Sequence, residues 1–338
     1  MNKKIAAYGE IMMRLTVPDH LLLRQADRLN YSFTGTGVNV TGLMAQFGYE
    51  TNLISAVPDN SVGTAAISAI RRLGIDSHFI LKRNQNLGMY FLEEGFGNRS
   101  SSVTYTNRTE SSFNTVNISD YPLEEIFKNI DVLHICGISL AMNEMMRQNI
   151  LEIVKAAREH NIQIVFDCNF RPSLWGEGGN EKAKPYYESI LHEADIVLMN
   201  EKDAINTLDM TTDKEIKAEQ LEDILPKVSE KYHIPIIAGT NRIVNSSNHN
   251  TIKGYLFKNN QMFYSKDYEV TILDRIGTGD AYTSGLIHAE LTNMSPQDVV
   301  DFSAASCALA HTISGDTPLY NVDDIIKVMK NEINDIER

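Results

Sequence analysis

Asp280 follows directly on Gly277-Thr278-Gly279, where the apolar run that begins at Val270 gives way to a helical pattern. Glycine permits backbone conformations and close approaches that a Cβ would hinder. The first N–H groups of a helix have no partner within it and carry the positive end of its dipole. Such a turn can cradle a phosphate or a phosphoryl-like transition state. A carboxylate in the same place has two readings. It is either an acid interacting with the dipole of the first turn, or a general base that takes a proton from a substrate hydroxyl as that oxygen attacks phosphorus. Transfer of a phosphoryl group to an alcohol uses both features, a proton acceptor and a place for the moving charge.

A second set of candidates lies in "FDCNFRPSLW", where Asp167, Asn169 and Arg171 follow the apolar run 162–166. The residue before a proline favours extended backbone, so Arg171 is set at a strand end ahead of a turn. A guanidinium matches a carboxylate with paired donors; the structural alternative is an ion pair with Asp167 or Glu201. Tyr90, Tyr105 and Arg108 stand in short alternating runs, where a tyrosine on its own reads as a strand residue with a wet edge. His134 and His288 sit in apolar segments and read as packed or capped rather than as metal ligands. Trp175 reads as packing on the turn after Pro172. The GxxxxGK[ST] phosphate loop is absent. "GTGVNVTG" imitates a dinucleotide fingerprint but carries Val40 at the third glycine position.

The elements that must position these residues alternate. Strands are expected at 5–8, 53–57, 132–136, 162–166, 196–198 and 234–238. Helices are expected at 38–47, 62–73, 143–160, 182–192 and 221–232, then at 281–292, 296–314 and 322–336. Strand and helix in turn imply βαβ crossovers and a mostly parallel sheet covered on both faces. In such sheets ligands bind beyond the carboxyl ends of the strands, which is where Asn169 and Arg171 fall. Two segments, 12–33 and 88–113, break the rhythm with short polar alternating runs. They read as antiparallel strands of a small β lid, leaving 1–11, 34–87 and 114–338 as an α/β core. The tail from Asn331 to Arg338 reads as a solvated helix end.

A chain of 338 residues with 43% hydrophobic residues can bury a large core without disulfides. Its 31 basic and 44 acidic residues give a net charge of −13, which argues against nucleic acid as a main partner and requires that an anionic substrate find a local basic cluster. Cys136, Cys168 and Cys307 have no CxxC spacing and read as buried thiols. No apolar run approaches the ~18 residues of a membrane span, and the apolar run near the start is broken by Gly9 and Glu10, too short for a signal peptide. A cytoplasmic protein is expected.

"DRIGTGDAYTSGL" closely resembles the C-terminal motif of ribokinase-like (PfkB-type) carbohydrate kinases, and its Asp-Arg start resembles the 2-keto-3-deoxygluconate kinase branch. "AAYGEIMMRLTVPD", "GMYFLEEG", "FDCNFRPSLW", "ADIVLMNEKDA" and "AHTISGD" are similar to further blocks of that family, in the same order. The resemblance implies ATP and Mg²⁺, with Asp280 as catalytic base and the amides of Gly277, Thr278, Gly279 and Asp280 as anion hole. It implies sugar contacts from Gly35 and Asn39, although Thr34 stands where the first of two glycines is common and Thr36 follows. Asn200 and Asp203 match an Asn-x-x-Glu motif associated with Mg²⁺ and the water around the phosphates, with Asp in place of Glu. Thr240 and Arg242 match the nucleotide-side strand end.

Arg171 matches the arginine that receives the acid group of the sugar. Tyr105-Thr106-Asn107-Arg108 resembles a Tyr-Asp-Arg lid motif lengthened by one residue, so that either Arg108 or Asn107 fills the contact, and Tyr90 joins it. Relatives also imply a monovalent cation such as K⁺ beside Asp274 and a homodimer through the lid. The function implied is phosphorylation of 2-keto-3-deoxy-D-gluconate at its primary hydroxyl. The alternatives are a kinase of fructose or another neutral sugar, and a catalytically silent sugar-acid sensor.

Overall fold

The computed structural model describes residues 3–332. The chain opens with β1 (Lys4–Tyr8), β2 (Met12–Thr16), β3 (Asn30–Thr34), α1 (Thr36–Gln46), β4 (Glu50–Val57), α2 (Ser61–Arg72) and β5 (Ile80–Lys82). It continues through β6 (Gly88–Glu93), β7 (Ser102–Thr106), the short α3 (Ser112–Thr115) and α4 (Leu123–Lys128), β8 (Val132–Cys136), α5 (Glu144–Glu159) and β9 (Gln163–Asp167). The short α6 (Pro172–Trp175), α7 (Gly179–Leu191), β10 (Ile196–Leu198) and α8 (Lys217–Tyr232) follow. Then come β11 (Ile236–Ser246), β12 (His249–Lys258), β13 (Gln261–Tyr264), β14 (Tyr268–Thr271), α9 (Thr278–Leu291), α10 (Pro296–Ala310) and α11 (Val322–Lys330).

Ten strands form one twisted sheet in the order β13-β12-β11-β10-β9-β8-β1-β4-β5, with β14 also on β12. From β11 to β5 the neighbours are parallel, and the edge beyond β11 is antiparallel. Both faces are buried, and the pleat divides them residue by residue. In β8 and β9, Leu133, Ile135, Ile164 and Phe166 pack with α5, α7 and α8. Val132 and Val165 face α1, α9 and α10 on the other side. Helix α5 shows why the pattern selects a helix. Met146, Ile150, Ile153, Val154 and Ala157 form its buried stripe, and the Asn143 side chain accepts the Met146 N–H at 2.8 Å to cap its start.

The expected strand at 234–238 is the first half of a longer one. β11 runs on to Ser246 and pairs with β12 from Ile236↔Lys258 to Ser246↔His249. That antiparallel edge was not expected, although 252–258 carries the apolar residues of a strand. The helix expected at 296–314 ends at Ala310, and that at 322–336 ends at Lys330. The part of the acidic tail from 333 onward lies outside the described residues.

A second, four-stranded sheet has the order β3-β2-β6-β7. Its central pair, β2 and β6, is parallel, with Arg14 opposite Tyr90; the expectation of antiparallel strands holds only for β2/β3 and β6/β7. Between β3 and β6 the chain passes through α1, β4, α2 and β5 of the core, and a connection of that length lets the two strands run in the same direction. Met12, Tyr90 and Leu92 pack the inner side against Ile276, which precedes the Gly-Thr-Gly turn. Among the described residues no helix is long and apolar enough to cross a membrane.

Candidate active site

A cavity of about 710 Å³ opens beyond the carboxyl ends of the parallel strands, bounded by the smaller sheet, the turn before α9 and the first half of β11. Gly277 closes the N-terminus of α9 with φ 80°. A Cβ there would lie 2.0 Å from the Asp316 carbonyl oxygen, so both the left-handed backbone and the close approach demand glycine. The first N–H bonded within this helix is that of Ala281, to the Gly277 carbonyl at 2.9 Å. The amides of Thr278, Gly279 and Asp280 precede it, and all three residues line the cavity. A Cβ on Gly279 would meet no protein atom within 4 Å. The space over the turn is therefore open to a ligand.

Asp280 is buried in the first turn of α9. Its Oδ2 accepts a hydrogen bond from Asn39 Nδ2 at 2.7 Å. Burial pushes its carboxyl up to about 8 against the pull of that hydrogen bond; the Asp167 and Asp316 carboxylates raise it further and Arg171 opposes them. Asn39 comes from α1, whose start is set by Gly35. There φ is 150°, and a Cβ would lie 2.1 Å from the Glu10 carbonyl oxygen. The Asn39 amide is oriented by Thr317 Oγ1 at 2.7 Å and Thr34 Oγ1 at 3.0 Å, both directed at its Oδ1. Thr34 thus supplies a hydroxyl that a glycine at this position could not. Its Oγ1 also lies 2.7 Å from Asp316 Oδ2.

Elsewhere in the lining, Asn169 holds φ 38° after β9, and its Nδ2 donates to Asp167 Oδ2 at 3.3 Å. Asn169 Oδ1 is buried with no hydrogen-bond partner among the described residues. Arg171 caps α6 in extended backbone. It lines the cavity, is exposed, and forms no ion pair within 4 Å among the described residues. The structural alternatives for it, pairing with Asp167 or Glu201, are therefore not formed: Glu201 pairs with Lys217 at 3.2 Å. Arg108 lines the same cavity. Its Nε donates to Glu10 Oε2 at 2.8 Å, its guanidinium lies 4.9 Å from the Tyr105 ring centre, and its Nη1 has no hydrogen-bond partner among the described residues. Tyr105 lines the cavity and Asn107 does not, so of the two lid candidates Arg108 faces the space. Tyr90 is the exception among the expected contacts. It is buried behind the wall, and its hydroxyl donates to Asp316 Oδ2 at 2.5 Å.

Toward β11, Thr240 and Arg242 line the cavity from within the strand rather than from its end. Arg275 joins them, and the guanidinium of Arg242 is depressed by burial and by the charge of Arg275. Asn200 and Asp203 cap one another. Asn200 Oδ1 accepts the Lys202 and Asp203 amides at 2.8 and 3.1 Å, and Asp203 Oδ2 accepts the Asn200 amide at 2.9 Å. Burial pushes the Asp203 carboxyl up to about 7. Among the described residues no three acids or histidines gather around one point. Arg242, Arg275, Lys202 and Lys217 also line the cavity.

Asp274, expected beside a monovalent cation, is already engaged. Its Oδ1 accepts the Arg275 and Ile276 amides at 2.7 and 3.1 Å, and its Oδ2 accepts Arg14 Nη2 at 2.6 Å and the Gly315 amide at 3.1 Å. The cation beside it is a guanidinium of the chain itself. The sequence assigns no role to Arg14, Glu10, Arg275 and Asp316, and Thr34 enters there only as a departure from the family's glycine pair. The first four all lie inside quoted motifs, Glu10 and Arg14 in "AAYGEIMMRLTVPD", but nothing near them in the chain names their partners.

Fold and site together are those of an enzyme that moves a phosphoryl group onto a small polar acceptor. The model of the pfkB family of carbohydrate kinases matches residues 2–320, and the chain belongs to that family. Among solved structures, a protein from Enterococcus faecalis provisionally named a 2-keto-3-deoxygluconate kinase is 36% identical with a TM-score of 0.94, covering 99% of both chains. The 2-dehydro-3-deoxygluconokinase of Thermotoga maritima is 29% identical with a TM-score of 0.93, covering 98% of this chain and 99% of its own. The 2-dehydro-3-deoxygalactonokinase of Haloferax volcanii is 22% identical over the full length of both proteins.

Proposed function

We propose that the chain is an ATP-dependent kinase of 2-keto-3-deoxy-D-gluconate, forming the 6-phosphate. The observation that carries this is the shared cavity: a buried carboxylate, Asp280, beside the first amides of α9, and the guanidinium groups of Arg171 and Arg108 line one space. The sugar's carboxylate is received by Arg171 and Arg108, whose forks offer paired donors. Asn169 Oδ1 and Nη1 of Arg108 are the unpaired polar atoms left for its hydroxyl and oxo oxygens. This orientation directs the far, primary hydroxyl toward Asp280. The Asp280 carboxylate takes that proton as the oxygen attacks the γ-phosphorus and the bond from that phosphorus to the β–γ bridging oxygen breaks, releasing ADP, and the amides of Gly277 to Asp280 hold the charge that gathers on the transferring group.

Thr240, Arg242, Arg275 and Asn200 receive the nucleotide. Asp203, through water, is the residue for Mg²⁺, which when bound neutralises charge on the phosphates. The smaller sheet serves as a lid that excludes water from the transfer. Exposed Tyr31, Phe96 and Val103 on it support a homodimer formed through this sheet.

The test is a coupled ATP-consumption assay across 2-keto-3-deoxygluconate, its galactonate epimer, fructose and ribose. Preference for the gluconate-derived acid supports the reading. Turnover confined to neutral sugars removes the substrate assignment, and no turnover on any of them leaves a silent sugar-acid binder. The galactonate epimer belongs in the panel because the Haloferax relative is named for it.

A further inference from the structure

Arg14 is buried at the seam between the two sheets and does not line the cavity. It belongs to β2 of the smaller sheet, yet its charged partners lie near the other end of the chain. Nη2 donates to Asp274 Oδ2 at 2.6 Å, and Nη1 donates to Asp316 Oδ1. Nε is satisfied by Thr16 Oγ1 at 2.8 Å, and Glu94 of the same sheet stands 3.3 Å from Nη2. The side chains of Arg14, Asp274 and Asp316 are each 3% exposed.

The Asp274 carboxylate and the Asp316 backbone both bear on the turn before α9. Asp274 Oδ1 binds the amides of Arg275 and Ile276, the two residues before Gly277. Asp316 stands against Gly277, with its backbone carbonyl where a Cβ of that residue would fall. Its Oδ2 is also the acceptor for Tyr90; Thr34 Oγ1, with one proton to give, lies between that oxygen at 2.7 Å and Asn39 Oδ1 at 3.0 Å, and Asn39 donates on to Asp280. Without a cation between them, two buried carboxylates and Glu94 would repel across a low-dielectric seam. The turn and the loop between α10 and α11 that carries Asp316 would move apart, or one acid would take up a proton and release its partners.

We infer that Arg14 is a positioning residue: a cation supplied by the smaller sheet that clamps Asp274 and Asp316 together, so that the Gly277–Asp280 turn holds its phosphate-binding shape only when that sheet is seated. A planar fork suits the task because it bonds two carboxylates at once, which an ammonium on a flexible stem does less well. The consequence for turnover rests on the kinase reading above; the consequence for the turn does not.

The experiment uses the full chain with Arg14→Ala and Arg14→Lys. Amide hydrogen exchange at 275–280 is followed without substrates, and kcat and KM are measured on the sugar acid with ATP. In Arg14→Ala the turn should exchange faster while core strands keep their protection. Turnover should fall ~10²-fold, as for a small misplacement of a reacting group, with the KM of the sugar changed far less. Millimolar guanidinium chloride, filling the vacated space, should restore both readouts, and sodium chloride at equal ionic strength should not. Arg14→Lys should fall between the two, and it decides the matter by the same readouts if the alanine variant does not fold.

Unchanged exchange at the turn in a folded variant overturns the inference, as does loss that guanidinium does not reverse. If the wild-type chain phosphorylates no sugar acid, the kinase reading fails while the exchange measurement still judges the clamp.

Discussion

Replacing Asp280 by Asn should abolish catalysis and stabilise the protein in the same stroke, because the carboxylate is kept in an environment that suits its neutral form. An ordinary aspartate has a pKa of 3.8, and burial pushes this one up to about 8. Each unit corresponds to ~1.4 kcal/mol, so the ionised form costs the fold roughly 5–6 kcal/mol as an upper bound. Water in the cavity and the effective protein dielectric reduce this, and ~2–4 kcal/mol is the expected gain for Asn at pH 9. Unfolding entropy of ~2.1 cal/mol/K per residue converts that to a rise of ~3–6 °C in Tm.

The sign follows from the raised pKa in the folded state. Below pH ~4 both states bind the proton and wild type suffers no penalty. The penalty grows as pH rises and is complete above about 8. The Tm difference between variant and wild type should therefore vanish near pH 4, widen through neutrality and level off above 8, as read by scanning calorimetry. Turnover should fall ~10²–10⁴-fold, and wild-type kcat/KM should climb with pH toward a plateau above about 8. An Asn variant that keeps near-normal turnover would refute the base, and a Tm gain independent of pH would refute the electrostatic account.

Arg171→Lys keeps the charge but loses the paired donors; kcat/KM should drop ~10-fold or more for acid sugars and little for neutral ones, and equal losses in a substrate panel would make it a structural arginine. Gly279→Ala should leave Tm nearly unchanged, since its Cβ meets only open space, while raising the KM for ATP ~10-fold. Gly277→Ala, with φ 80° and the Asp316 carbonyl 2.0 Å from the added Cβ, should instead cost ~1–3 kcal/mol by denaturant titration. Sedimentation should give a dimer that Tyr31→Glu with Val103→Lys converts to monomer; a wild-type monomer at micromolar concentration would remove the lid contact.

Much of this molecule was legible before any coordinates, and the legible part shares one property: it depends on near neighbours in the chain. The alternation of apolar strands with helices places Leu133 and Val132 on opposite faces because the pleat has period two. Gly277-Thr278-Gly279-Asp280 announces itself because backbone freedom, unpaired amides and an adjacent acid lie within four residues. What motif reading missed depends on which distant element arrives alongside. β11 pairs with β12 along its whole length, from Ile236, where its other side pairs with β10, and nothing local in 236–246 says that the second neighbour runs antiparallel.

Tyr90 illustrates the same limit at the site, since its type suited a ligand contact but its strand turns the hydroxyl to Asp316, 226 residues away in the chain. Arg14 and Asp274 lie 260 residues apart. Each has several possible partners by charge alone, and only the docking of one sheet on the other chooses between them. The sequence by itself determined the layers and the chemistry of the turn, because those rest on short-range geometry. The pairing of Arg14 with two acids and the rise of the Asp280 pKa were decided by the tertiary structure, because ion pairing and desolvation depend on what is buried together and not on what is written together.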